Sequence, residues 1–129
     1  LECLQHRADL LVIQQLRLLT GCLTIIIKLC EEPMRATAVL KEKGISVQHM
    51  HVSTLKPFTD PTIVEAIKKS KYGVVTIENH LDIGGLGSAV SEVLAYEGCG
   101  VPTEFVGIQD TFTESAPYKE LLAKYGIEG

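Results

Sequence analysis

The sequence contains no tryptophan, and its four cysteines lie far apart without a C-x-x-C pair. That spacing fits neither a zinc knuckle nor the dense disulfide framework of a small secreted domain. The sequence has fewer basic than acidic residues, with 12 Lys and Arg compared with 16 Asp and Glu. No stripe of basic residues is interleaved with aromatic residues. Nucleic acid is therefore not an expected partner. The cysteine spacing predicts reduced thiols and a cytoplasmic protein.

Long hydrophobic runs are absent as well. The longest apolar stretches, LTIIIKL and LLVIQQLRLLTGCL, are interrupted by polar residues well short of the roughly 20 residues that cross a bilayer. The first residues, LECLQHRADLLVIQQL, lack a basic region before a clean apolar core, so they do not read as a signal peptide. We expect no membrane span.

Hydrophobic residues recur with the spacing of a strand in some segments and with the spacing of a helix in others. The two kinds of segment alternate along the chain. Its 129 residues, 46% of them hydrophobic, suit one domain with one buried core. Four β-α units follow one another, which predicts an α/β fold, a three-layer doubly wound and mostly parallel sheet of about five strands. The predicted strands cover residues 23–29, 45–52, 72–77 and 103–108, and the predicted helices cover 33–43, a segment after Asp60-Pro61, 88–96 and 117–124.

We expect the first 22 residues to form an N-terminal extension or linker of uncertain structure, and residues 23–129 to form the domain. Within the extension, residues 8–19 suit an amphipathic helix or an edge strand, and their length favours the helix.

A glycine cluster lies in the segment VVTIENHLDIGGLGSAVSEVLA, at a predicted strand-to-helix turn. Gly84, Gly85 and Gly87 can adopt positive φ and permit close backbone approach, and Ser88 can cap the following helix. Such a turn can bind an anion at a helix N-terminus or can serve close packing. The dinucleotide fingerprint is incomplete and follows the third strand instead of the first, and no Walker loop occurs.

Other candidate chemistry is weaker. His49 and His51 share one face of a predicted strand, as two metal ligands could, and His80 lies near the glycine turn. The carboxylate pairs Glu78 with Glu114 and Asp82 with Asp110 could act as acid and base at the strand ends. Carboxylates in such positions are more often helix caps.

Several linked motifs resemble the C-terminal domain of transketolase and related thiamine-diphosphate enzymes, the split transketolases among them. They are KEKGISV, STLKPF with Thr59 inserted before Asp60, VVTIENH with GGLGSAVSEVLA, and GIQDTFTES with LLAKYGI. The resemblance covers residues 23 to 128 or so. It implies transfer of a two-carbon ketol unit between sugar phosphates by a complete enzyme, with thiamine diphosphate and Mg²⁺ held by other domains.

The resemblance also implies that this chain has no catalytic, cofactor-binding or metal-binding residue of its own. Its expected partners are the pyrimidine- and pyrophosphate-binding domains or subunits, with a homodimer as the expected assembly. The loop around the glycine cluster would then be an interface or an anion-binding loop; its residues are Glu78, His80, Gly84, Gly85, Gly87 and Ser88.

One segment departs from the family pattern. After the first strand the chain reads KLCEEPMRAT, where the family has a small-residue turn of the type A-T-G-S. Two alternatives therefore stay open beside the noncatalytic assembly domain. One is a freestanding homodimeric or regulatory module, and the other is a small phosphate-binding module that reuses the fold.

Overall fold

The computed structural model describes residues 22–27, 32–125 and 127. Strands and helices alternate through these residues, as the periodicity predicts. The elements are β1 (Cys22–Ile27), α1 (Glu32–Glu42), β2 (Ser46–His51), α2 (Pro61–Lys69), β3 (Ser70–Leu81), α3 (Leu86–Tyr96), β4 (Thr103–Ile108) and α4 (Tyr118–Tyr125). None of the helices within the described residues is long and apolar enough to span a bilayer.

The four strands form one parallel sheet in the order β2-β1-β3-β4. The chain moves from β1 to one side for β2 and then to the other side for β3 and β4. This reversal is the hallmark of a doubly wound sheet. The parallel α/β architecture is therefore confirmed, whereas the described residues contain four strands and not about five.

Hydrophobic packing covers both faces of the sheet. Val74 belongs to a buried cluster with Ile67 of α2 and Val90 of α3. Its neighbour Val75 points to the opposite face and packs in a second cluster with Leu40 of α1. Because successive side chains of a strand alternate between faces, α1 lies on one side of the sheet and α2 and α3 on the other.

Local sequence signals set several boundaries. Asp60 caps α2 by accepting a hydrogen bond from the Thr62 N–H at 2.9 Å, and Pro61 begins the helix, as predicted. Gly44 follows α1 with φ of 77°, a left-handed conformation that suits glycine at a helix end.

The predicted boundaries that differ most from the structure are those of β3 and α3. β3 begins two residues before the predicted residues 72–77 and ends four residues after them, because it continues through polar residues to Leu81. α3 begins at Leu86, two residues before the predicted start. Most of the predicted extension, including the proposed helix over residues 8–19, lies outside the described residues, and the boundary between residues 22 and 23 stays a prediction.

Candidate functional site

The glycine turn joins the carboxyl end of β3 to the start of α3, where parallel α/β folds usually bind ligands. In the structure, the group bound to the N–H groups at this helix start is a side chain of the same chain, Glu78. The Leu86 N–H donates to Glu78 Oε2 at 2.7 Å, and the Gly87 N–H donates to Glu78 Oε1 at 3.0 Å. Glu78 is only 2% exposed. Its carboxyl group therefore satisfies two N–H groups that the helix itself cannot pair.

A bulge in β3 accommodates Glu78. Ile77 pairs with Val106 and Leu81 pairs with Ile108, so three residues of β3 lie opposite the single Gly107 of β4. Extra residues of this kind bend a strand and redirect a side chain. A Cβ on Gly107 would lie 3.0 Å from the His80 carbonyl oxygen and 3.3 Å from Glu78 Cγ, so glycine gives the bulge its room.

Two glycines of the turn are required for close approach and not for positive φ. A Cβ on Gly85 would lie 2.1 Å from Glu78 Oε2 and 2.8 Å from the Leu81 carbonyl oxygen. A Cβ on Gly87 would lie 2.6 Å from the ring atom Cδ1 of Phe105. Both positions are closed to any larger residue unless a neighbour moves. We call Glu78 with Gly85, Gly87 and Gly107 the glutamate socket.

Gly84 adopts the predicted positive φ, whereas Ser88 has a different role from the one predicted. Of the three glycines in the turn, only Gly84 has positive φ, at 78°. Ser88 lies inside the first turn of α3, where its hydroxyl accepts a hydrogen bond from the Gly84 N–H at 2.8 Å. The predicted Ser88 cap was wrong, because the Glu78 carboxyl group takes that role from eight residues before the helix.

The remaining predicted residue of the loop, His80, is on the surface. Its Nδ1 lies 3.2 Å from the Leu81 carbonyl oxygen. The ring is separate from the hydrogen bonds that Glu78 makes to α3. The prediction that these six residues form an interface or an anion-binding loop stays a prediction, although the two N–H groups most suited to an anion are already paired.

Three of the four candidate acid and base carboxylates, Glu78, Asp82 and Glu114, have another partner. Asp82 Oδ2 accepts from the Gln109 side-chain amide at 3.1 Å, whereas Glu114 pairs with Lys124 of α4. Both oxygens of Glu78 accept backbone N–H groups. These contacts fasten the loops after β3 and β4 to each other and to α4.

Two buried oxygen atoms have no hydrogen-bond partner among the described residues. They are Thr76 Oγ1 in the middle of β3 and Asp82 Oδ1 at the start of the glycine turn. Buried polar atoms are normally paired, so each is an acceptor that an internal water could satisfy.

His49 and His51 lie on one face of β2, at an edge of the sheet, and both are exposed. The pKa of His49 is held below its ordinary value, first because burial removes water from the ring and then because the charges of His51 and Lys41 oppose protonation. No group of three or more His, Cys, Asp or Glu side chains within the described residues could hold a metal ion.

The sequence analysis did not predict a role for Phe105 and Gly107, which lie against the glycine turn and Glu78 from β4. Neither stands near the glycine turn in sequence. The only signal available was the unusual placement of glycine inside a strand, which often marks close backbone approach.

Comparison with known proteins identifies the family. Residues 28–129 match the family model described as the transketolase C-terminal domain. A Methanocaldococcus jannaschii protein named as a transketolase C-terminal section is 46% identical over 98 residues, which cover 76% of this chain and 30% of that protein. A 1-deoxy-D-xylulose-5-phosphate synthase of Syntrophotalea carbinolica is 34% identical over 77% of this chain and 16% of its own length.

A solved structure supports the same assignment. A chain described as a split-gene transketolase in an inactive β4 tetramer superimposes with a TM-score of 0.70 and 38% identity, over 84% of this chain and 36% of that chain. This chain thus spans about a third or less of the proteins to which it is similar. Sequence motifs, fold and comparisons agree, and the chain belongs to the transketolase C-terminal domain family.

Proposed function

We propose that this chain is the noncatalytic C-terminal assembly domain of a cytoplasmic transketolase-like enzyme. The complete enzyme would transfer a two-carbon ketol unit between sugar phosphates. The family match and the similarity to a protein named as a transketolase C-terminal section support this proposal. Similarity to synthases of 1-deoxy-D-xylulose-5-phosphate supports the broader class of ketol-handling enzymes.

The structural observation that best supports the proposal is the glutamate socket. In a doubly wound sheet, the helix start beyond a central strand is the usual place for an anionic ligand. Here the buried Glu78 carboxyl group accepts from both the Leu86 and Gly87 N–H groups. A loop organised around an internal carboxyl group is suited to holding a fixed shape for a neighbouring protein surface.

The described residues do not fit thiamine diphosphate or its metal. A pyrophosphate group would have to displace Glu78 from the start of α3, and the described side chains include no cluster able to hold a metal ion. We therefore propose that the pyrophosphate- and pyrimidine-binding domains hold thiamine diphosphate and Mg²⁺.

In this proposal the surface around the socket faces another domain or subunit. His80 and the turn from Gly84 to Ser88 supply that surface, with Gly85 and Gly87 allowing its tight backbone and Glu78 fixing it from below. The proposed contacts lie with transketolase domains, and a homodimer is the proposed assembly.

An association measurement tests the proposal. The purified chain is mixed with transketolase pyrophosphate- and pyrimidine-binding domains that lack their own C-terminal domain, and the mixture is analysed by size-exclusion chromatography with light scattering. The proposal predicts a complex containing both proteins. Separate elution at micromolar concentrations of both would contradict it.

A thermal-shift measurement distinguishes the phosphate-binding alternative. Inorganic phosphate is titrated against the wild-type chain and against Gly87→Val, with sodium chloride of equal ionic strength as the control. An assembly domain predicts no phosphate-specific rise in the melting temperature of the wild type. A saturable rise that Gly87→Val abolishes would favour the phosphate-binding module.

A further inference from the structure

We infer that His49 and His51 together chelate a divalent transition-metal ion of the class Zn²⁺, Ni²⁺ or Cu²⁺ at the edge of the sheet. We call these two residues the histidine pair. The inference does not depend on the proposed assembly role. The ion is also distinct from the Mg²⁺ that the complete enzyme would hold in its other domains.

The first support is the position of the two rings on one strand. His49 and His51 are two residues apart in β2, and side chains two residues apart in a strand lie on the same face. Residues 46–51 pair with residues 22–27 of β1 without a bulge, so the strand is regular here. The two Cα atoms are therefore about 6.6 Å apart at a rise of about 3.3 Å per residue. Imidazole rings at this spacing can turn toward one ion, about 2.0–2.1 Å from a nitrogen of each.

The second support is that an ion can reach both rings from solvent. β2 is an edge strand of the sheet formed by the described residues, and both histidines are exposed. Earlier on the same face of β2, Val47 is half-buried and packs in the cluster with Leu40 of α1. This face of the strand is thus covered at its start and open at its end, so binding there requires no change in the core.

The charges around the histidine pair bear on its affinity. Burial, and then the charges of His51 and Lys41, hold the pKa of His49 below its ordinary value. Lys41 lies in the last turn of α1, and its positive charge opposes a bound cation. We therefore expect Lys41→Gln to bind the ion more tightly than the wild type does.

The available donor atoms select the kind of ion. Among the described residues, no third His, Cys, Asp or Glu side chain joins the histidine pair in a metal-binding group. Mg²⁺ and Ca²⁺ prefer oxygen ligands, which the pair does not offer. Imidazole nitrogen suits Zn²⁺, Ni²⁺ and Cu²⁺, with water in the remaining coordination positions. The pair is therefore an open site for an exchangeable ion, and it lacks the three protein ligands typical of a catalytic zinc.

The test measures Ni²⁺ binding to the full chain by isothermal titration calorimetry at pH 7.5, where an ordinary imidazole is neutral. The wild type is compared with His49→Gln, His51→Gln, Lys41→Gln and the control His80→Gln. His80 is also exposed, but it belongs to β3, which β1 separates from β2. All five proteins keep the same four cysteines, so any binding by thiols is common to them.

We expect the wild type and His80→Gln to bind Ni²⁺ with the same dissociation constant. His49→Gln and His51→Gln should each weaken binding about 100-fold or more, because the second ligand of a chelate acts at a high effective concentration. Saturating Ni²⁺ should raise the melting temperature of the wild type and of His80→Gln, since a ligand that binds the folded protein stabilises it. Mg²⁺ at the same concentration should leave every melting temperature unchanged.

Proton NMR locates the bound ion among the four histidines of the chain. Ni²⁺ is paramagnetic and broadens the ring signals of the residues that ligate it. Two ring signals should broaden in the wild type at a low ratio of Ni²⁺ to protein. They should be the signals that are missing from the spectra of His49→Gln and His51→Gln, and the signal assigned by His80→Gln should stay sharp.

Several outcomes would overturn the inference. A dissociation constant that His49→Gln and His51→Gln leave unchanged means that the ion binds elsewhere. Weakening of less than about threefold by each substitution means that the rings act singly and do not chelate. No binding by the wild type below about 1 mM removes the site, and weaker binding by Lys41→Gln contradicts a cation as the ligand. None of these results affects association with the pyrophosphate- and pyrimidine-binding domains, so the proposed function is tested separately.

Discussion

Replacement of Glu78 should destabilise this domain more than replacement of any exposed carboxylate. Glu78→Ala leaves the N–H groups of Leu86 and Gly87 buried without their acceptor. An unpaired buried donor costs about 1–3 kcal/mol, so the loss of both predicts about 2–6 kcal/mol. That is a large share of the roughly 5–15 kcal/mol that stabilises a typical domain.

A milder variant keeps the test informative where Glu78→Ala does not fold. Glu78→Gln retains one acceptor oxygen but turns an amide N–H₂ toward the second backbone N–H. One hydrogen bond is lost, which predicts about 1–3 kcal/mol. The free energy of unfolding is measured in urea by far-UV circular dichroism, because the chain has no tryptophan for fluorescence.

A double-mutant cycle with Gly85→Ala identifies the cause. The new Cβ would lie 2.1 Å from Glu78 Oε2, so Gly85→Ala should expel the carboxyl group and cost about as much as Glu78→Ala. Once the carboxyl group is absent, the second substitution should cost less, with a coupling of about 0.5–3 kcal/mol. The matched control is Gly44→Ala, a positive-φ site with nothing within 4 Å, which should be additive within about 0.5 kcal/mol. Additive costs for Glu78 and Gly85 would refute the glutamate socket.

Three further predictions concern single sites. Gly87→Ala places a Cβ 2.6 Å from Phe105 Cδ1 and should destabilise by about 1–3 kcal/mol, and urea titration should give a smaller cost in a Phe105→Leu background. Hydrogen bonds from the Thr62 hydroxyl and then its N–H hold the pKa of Asp60 below its ordinary value, so this capping stability is present near neutral pH and is lost as pH falls through the lowered pKa. Asp60→Ala should therefore lower the melting temperature at pH 7 more than Asp60→Asn, because Asn can still cap the helix, and the deficit of each variant relative to the wild type should shrink in strong acid, where Asp60 is protonated. Burial and neighbouring positive charge hold the pKa of His49 below 6.5, so unfolding should become easier as pH falls below about 6.5, and His49→Gln should flatten that slope in urea titrations from pH 7.5 to 5.5.

The alternating elements were predictable because their signals are local. The Asp60-Pro61 pair marks the start of α2 within two residues, and Gly44 marks the end of α1. A cap, a proline and a glycine each act on the backbone next to them, so a single sequence carries enough information to find them.

The glutamate socket was not predictable because its parts meet only in the folded sheet. Glu78 caps a helix that begins eight residues later, and Gly107 makes room for it from another strand. The polar residues after Ile77 read as a loop, whereas they form a bulge that continues β3 to Leu81. Long-range contacts of this kind leave no periodic pattern in the chain.

The role of the glycine cluster could also be assigned only from the folded structure. The sequence left close packing and anion binding as alternatives. The geometry favours packing, because Gly85 lies against the Glu78 carboxyl group and Gly87 lies against Phe105. Residue type alone could not distinguish these cases, since both require small residues at a helix start.

Reconstitution of ketol transfer tests the central claim most directly. The chain is assayed with a ketose phosphate donor, an aldose phosphate acceptor, thiamine diphosphate and Mg²⁺, first alone and then with the pyrophosphate- and pyrimidine-binding domains. Those domains are also assayed alone. An assembly domain predicts that the mixture transfers the two-carbon unit faster than the sum of the two separate proteins. Equal rates for the mixture and for the sum, with the complex verified by light scattering, would contradict the claim.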